Sequence, residues 1–381
     1  MLAIKNAVIC LPDHFLPGGT LLCENGKIVD FGKKILIPDK AEIIDAKENF
    51  VGPGLIDIHT HAAGGKVFSA APEECSKLLF KKGVTSVCPT LYFSLDANGF
   101  ICEMDILQNA VKDGKFPNFA GFYMEGPYMN PKFGANRENN PWNGDIKKEE
   151  YEPILKKAGK YVKVWALAPE RDGILEFVQD AKAENPDVVF SVAHSEATPE
   201  EIEMLMPYGL KIGTHHTNAT GTLESFPECR GVCVDEAVNY NNEIYAELIC
   251  DKVGVHVNPY LLRLIAKIKG KERIILISDC SDSTGPVIPG CEEADDICFD
   301  FSGEISGSKL SLNDACRNMM VHTGCSVCDC FRYASLNPAR ALGMRDLGEI
   351  KIGNTANLVI ADNWFNVKAT IFRGELVAEN G

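Results

Sequence analysis

Eight short apolar runs punctuate the middle of the chain, most of them followed by a segment of helical pattern, and this alternation limits the possible folds more than any other feature. The runs are GLIDIHTH, VTSVCPTLYF, NFAGFYMEGP, VKVWALAPE, VVFSVAHSEAT, LKIGTHHTNA, AELICDKVGVH and RIILISDCSD. Between them lie stretches such as APEECSKLLFKKG, DGILEFVQDAKAEN and NPYLLRLIAKIKG, whose apolar residues recur at helical spacing. Strands alternating with helices predict a parallel sheet, and eight repeats predict an α/β fold closed as a (β/α)8 TIM-like barrel over residues 52–348. An open doubly wound sheet is the alternative, but no Gly-x-Gly-x-x-Gly follows the first run. The two ends of the chain read differently from the middle. LAIKNAVIC, GTLLCENGKIVDFG and AEIIDAKENF are β-type runs broken by turns, with the Asn-Gly hairpin signal in ENGKI, and residues 349–381 return to that style. Residues 1–51 and 349–381 are therefore expected to form one small β-sandwich domain with the barrel inserted between them.

The polar residues of the eight runs collect at their C-terminal ends. His59 and His61 close the first, Glu125 the third, His194 the fifth, and His215 and His216 the sixth; His256 follows the seventh and Asp279 ends the eighth. Six of the eight histidines thus fall where a barrel of this kind keeps its active site. Residues i and i+2 of a strand share a face, so His59 and His61 can both project into the barrel mouth with Asp57 one step deeper. Two neighbouring imidazoles suit a divalent cation such as zinc.

Composition bounds the partners. A net charge of −15 argues against a nucleic-acid surface, which needs clustered Lys and Arg. No apolar stretch approaches the roughly 20 residues that cross a bilayer, no leader-like segment opens the chain, and 15 cysteines in a chain of 381 residues are not a disulfide framework. A cytoplasmic protein with reduced thiols is expected.

PGLIDIHTH, YMEGPYMNP, SVAHSEAT, GTHHTNAT, GVHVNP, ISDCSDSTG and SLNPARALGM, followed by LGEIKIGNTANLVIAD, resemble the amidohydrolase superfamily, and within it the N-acetylglucosamine-6-phosphate deacetylases. The resemblance runs over nearly the whole chain. It implies metal-dependent hydrolysis of an N-acetyl amide on an amino-sugar phosphate by a homodimer, with one or two divalent ions, zinc first and iron or manganese otherwise. Glu125, His194 and His215 match metal ligands, and the intact His59 and His61 imply room for a second metal, bridged by Glu125 where other members use a carbamylated lysine. Asp279 matches the catalytic carboxylate, which also serves as a ligand. His256 matches a substrate-contacting histidine; Asn218 and Ala219, Ala135 and Asn136, and Ile305, Ser306 and Gly307 fall in substrate loops. Arg230 resembles the phosphate-binding arginine that reaches a neighbouring subunit's site.

Four departures accompany the match. Tyr123 and Asn136 stand where the family has histidine, Thr217 where it has an aromatic residue, and the segment around Arg230 is spaced differently. All are expected on the substrate side, leaving hydrolysis intact and the sugar open. Deacylation of another N-acyl substrate, N-acetylgalactosamine 6-phosphate or an N-acyl amino acid, is the rival activity; a barrel without catalysis, serving as a scaffold, is the rival of another class. Cys325, Cys328 and Cys330 form a Cys-x-x-Cys-x-Cys cluster, read as structural, and His216 is expected to face away from His215. Trp142 is expected either to cover the substrate or to anchor its loop.

Overall fold

The computed structural model describes residues 1–221 and 224–380. Each of the eight apolar runs forms a strand: Leu55–Thr60, Val84–Tyr92, Phe122–Glu125, Val162–Leu167, Val189–Val192, Leu210–Gly213, Tyr245–Ile249 and Ile274–Ile277. They pair in chain order as one parallel eight-stranded sheet. Burial on both faces explains why these runs are continuously apolar rather than alternating.

The sheet closes where its first and eighth strands meet. At that seam the backbone N–H of Asp279 donates to the carbonyl of His59 at 3.0 Å, and the Ser278 hydroxyl donates to Asp57 Oδ2 at 2.6 Å. Burial lifts the Asp57 pKa to about 7, partly opposed by that hydroxyl. Closure therefore sets the C-terminal end of the first strand against that of the eighth.

Helices begin soon after the strand ends. Thr198, four residues past His194, caps the helix Pro199–Leu205 in a reciprocal capping box with Glu201. Asn258 caps Pro259–Lys269 by accepting from the Tyr260 N–H. That second helix buries Leu262, Ile265 and Lys269, spaced three and four residues apart on one face.

Strands from the two chain ends share one further sheet. Leu2–Cys10, Phe15–Glu24, Lys27–Gly32, Glu42–Asp45 and Phe50–Pro53 are joined there by Leu358–Ala361, Val367–Phe372 and Glu375–Glu379. Phe50–Pro53 pairs antiparallel with Leu358–Ala361, which ties the two ends of the chain together. Alternation divides the strand Leu358–Ala361 between two cores: Leu358 and Ile360 pack inside the small domain, whereas Val359 and Ala361 pack toward the barrel. Only Gly54 separates this sheet from the first barrel strand. No helix among the described residues is long and apolar enough to cross a membrane.

Candidate active site

Three of the polar residues just beyond the strand ends adopt a backbone conformation that L residues rarely take. His194, His215 and Asp279 have φ of 44°, 28° and 44°. Each such residue costs on the order of 1–3 kcal/mol and persists only where its surroundings fix it. His59 and His61 come from the first strand and the residue after it, and Glu125 is the last residue of the third.

The six side chains converge. Glu125 Oε1 lies 2.7 Å from His194 Nε2 and 3.1 Å from His215 Nε2. Its other oxygen lies 3.1 Å from His61 Nε2 and 3.4 Å from His59 Nε2. Asp279 Oδ1 stands 3.3 Å from His61 Nε2 and 3.7 Å from His59 Nε2. Two three-donor groups result, His59 with His61 and Asp279, and Glu125 with His194 and His215, and within each the donor atoms lie within 4.8 Å of one another. Glu125 faces both groups, one oxygen to each.

The electrostatics fit a cation. Burial disfavours charge on His59 and His61, yet the surrounding carboxylates outweigh it, holding His59 well above the usual imidazole range and His61 up at about 9. Burial likewise opposes ionisation of Glu125 and Asp279, and the histidines more than offset it, so both carboxyls are held well below their usual range. His194 is pushed down by burial. Nε2 of His59 and Oε2 of Glu125 are buried without a hydrogen bond, and the Nε2 atoms of His194 and His215 face each other at 3.2 Å. Two ionised carboxylates among four converging ring nitrogens make an imidazole and carboxylate donor set suited to a borderline divalent ion.

Above these groups opens a cavity of about 710 Å³. His61, Glu125, His194, His215 and Asp279 lie on it, as do Ala135, Asn136, Asn218, Ala219, His256, Ile305, Ser306 and Gly307. The last three belong to a hairpin, Ile297–Phe299 with Ile305–Ser308, that follows the eighth strand. Ser308 N–H donates to the Asp279 carbonyl at 2.7 Å, so the hairpin is fastened to the backbone of Asp279. Gly307 has φ of 73°, and a Cβ there would stand 2.6 Å from the Asp279 carbonyl oxygen.

His256 is held by Asp251. The Asp251 carboxylate accepts backbone N–H bonds from Val253, Gly254, Val255 and His256 and lies 3.2 Å from His256 Nδ1. Burial opposes the Asp251 charge, but His256 and these N–H groups prevail and bring its pKa down to about 2. His256 Nε2 is left without a hydrogen bond on a residue that lines the cavity.

Other residues lie elsewhere than sequence reasoning put them. Tyr123 is not on the substrate side: its fully buried ring stacks on His59 with centroids 4.4 Å apart, and its hydroxyl bonds Thr214 Oγ1 at 2.7 Å. The residue two before Glu125 points to the same barrel face but one layer deeper, which is why this departure touches the donor groups. Arg230 sits in a short hairpin, exposed, with Nη2 2.5 Å from Glu236, and does not line the cavity of its own chain. Trp142 is buried and donates to the Leu95 carbonyl, anchoring its loop. His216 bonds Asn239 away from the cavity. Cys325, just before the helix Val327–Phe331, and Cys330, within it, approach to 3.7 Å, outside both donor groups.

Two functional candidates escaped the sequence reading. Arg137 is the only Arg or Lys among the described cavity-lining residues, and its Nη1 pairs with Glu304 at 2.8 Å. Glu247, fully buried on the seventh strand, lies 3.2 Å from His59 Nδ1. Its signal was a charged residue inside the apolar run Tyr245–Ile249, on the same face as Ile249, which lines the cavity.

A (β/α)8 barrel carrying two three-donor groups at the C-terminal ends of its strands defines a hydrolase of the metal-dependent barrel class. Residues 50–377 match the model of the amidohydrolase family, and the chain belongs to that family. It is 30% identical to the N-acetylglucosamine-6-phosphate deacetylase of Rattus norvegicus, over 96% of this chain and 94% of that protein. It is 29% identical to the N-acetylgalactosamine-6-phosphate deacetylase of Escherichia coli O157:H7, over 96% of this chain and 99% of that one. The crystal structure of N-acetylglucosamine-6-phosphate deacetylase from Pasteurella multocida superposes with a TM-score of 0.86 at 26% identity, covering 100% of both chains.

Proposed function

We propose that the protein removes the N-acetyl group of an amino-sugar phosphate, converting N-acetylglucosamine 6-phosphate to glucosamine 6-phosphate and acetate. The observation that carries this reading is Glu125 facing both donor groups beneath a cavity that Asp279 and His256 line. His59, His61 and Asp279 would hold one divalent ion and Glu125, His194 and His215 the other, zinc being favoured by the nitrogen-rich donors, with iron or manganese next. Such an ion supplies Lewis acidity at the amide carbonyl and lowers the pKa of water toward about 7.

The chain's own residues supply the rest. Asp279 accepts the proton of the attacking water and returns it to the amide nitrogen as the C–N bond breaks, which avoids expelling an amide anion. Asp251 fixes the His256 ring so that Nε2 faces the carbonyl oxygen or a sugar hydroxyl. Asn218, Ala219, Ala135 and Asn136 border the sugar on one side and Ile305, Ser306 and Gly307 on the other. The phosphate meets Arg137 of the same chain and, in a homodimer, Arg230 of a neighbouring copy, a role that its exposure supports. All fifteen cysteines are free, which suits a reducing compartment, and we place the enzyme in the cytoplasm.

The galactosamine epimer is the second reading, favoured by the Escherichia coli relative and by Asn136 in the cavity wall. Amine release from both epimeric N-acetyl-hexosamine 6-phosphates and from their unphosphorylated forms, before and after metal stripping, tests both readings. Metal-dependent turnover confined to a phosphosugar is expected. Turnover of neither phosphosugar by metal-loaded protein overturns the assignment of substrate.

A further inference from the structure

We propose that Glu247 is a positioning residue that gives His59 the ring state needed to hold the second cation. This rests on the reading that the two donor groups bind metal. Glu247 does not touch the cation site; it acts through His59.

A carboxylate with no exposed surface is strongly disfavoured unless donors meet it. Three groups approach Glu247 Oε2: His59 Nδ1 at 3.2 Å, the Tyr123 hydroxyl at 3.3 Å and the His215 backbone N–H at 3.4 Å. Oε1 has no hydrogen bond, and among the described residues His59 is the only ion-pair partner Glu247 has. Packing alone does not account for a charged group placed this way, since a leucine would fill the space without the desolvation.

The geometry specifies what the carboxylate does. Accepting from Nδ1–H fixes the proton of His59 on the far side of the ring, so that Nε2 presents its lone pair toward Glu125 and Asp279. Tyr123 completes the clamp, its ring lying 28° from the plane of His59 and its hydroxyl held between Thr214 and Glu247. The other group lacks this device: Nδ1 of His194 and of His215 has no hydrogen bond. The support is built on the side of His59 and His61 alone.

Metal-free wild type and the Glu247→Gln, Glu247→Ala and His59→Ala variants are titrated with Zn²⁺ by calorimetry and with Co²⁺ by visible absorption, and bound ions are counted by elemental analysis. Wild type takes two ions. Glu247→Gln is isosteric; it keeps the first ion at wild-type affinity and weakens the second by about 10–100-fold, the usual cost of losing such a partner. His59→Ala weakens the second ion to a lower affinity that the titration still measures, and adding Glu247→Gln to it weakens that ion no further, a non-additivity that a role independent of His59 does not produce. Two ions at wild-type affinity in Glu247→Gln, equal weakening of both, or a single ion in wild type overturns the proposal. If Glu247→Ala does not fold, the isosteric variant and the double-mutant cycle decide alone. No substrate enters these titrations, so a failed deacetylase assay leaves the result standing, and a failed titration leaves the deacetylase reading standing with one ion.

Discussion

Replacing Asp251 by Asn tests the most fully satisfied carboxylate among the described residues, one whose side chain has no exposed surface. It accepts four backbone N–H bonds and neighbours His256 Nδ1, and its pKa falls from 3.8 to about 2. A depressed carboxyl pKa stabilises the folded state fully above the unfolded value and loses that contribution as pH falls toward the folded value. The shift corresponds to about 2 kcal/mol at pH 7, falling to about 1 kcal/mol at pH 3. Asn removes the charge and points an amide N–H₂ toward backbone donors, so Asp251→Asn destabilises by at least that amount at neutral pH. Urea unfolding of metal-free wild type and variant at pH 7, 5, 4 and 3 reads the difference, with metal binding taken out of the comparison. The gap between the two narrows only below about pH 4. A gap that stays constant from pH 7 to 3, or no gap at pH 7, refutes the assignment of the carboxylate's charge to holding this loop.

The other predictions concern turnover. Asp279→Asn lowers kcat by about 10²–10⁴-fold while elemental analysis still finds an ion at the Glu125, His194 and His215 group; a loss below tenfold removes Asp279 from proton transfer. Gly307→Ala forces a Cβ to within 2.6 Å of the Asp279 carbonyl at a φ of 73°, so it lowers the melting temperature and drops kcat by about tenfold or more, read from paired kinetic and thermal measurements. Arg137→Ala raises KM for the phosphosugar by about 10–100-fold and leaves kcat/KM for the unphosphorylated sugar unchanged; equal effects on both mean that Arg137 only braces the loop through Glu304.

Strand and helix periods are local, so the alternation of eight apolar runs with helical segments was enough to read the barrel. The ends of those runs are local as well. His59, His61, Glu125, His194, His215 and Asp279 could therefore be nominated from position alone, and in the folded chain the six side chains lie together. A period assigns a side chain to a face, however, and says nothing of depth or of the neighbour across the barrel. Tyr123 was placed on the wrong side of the donor groups for that reason. The partners found only in three dimensions are far apart in the chain: Asp57 and Ser278 across the seam are separated by 221 residues, His59 and Glu247 by 188, and Arg137 and Glu304 by 167. Residue order along the chain is enough to say which residue types stand at the barrel mouth. Closure of the sheet decided which of them meet, because only closure brings the first strand against the eighth and sets a buried carboxylate behind a particular imidazole.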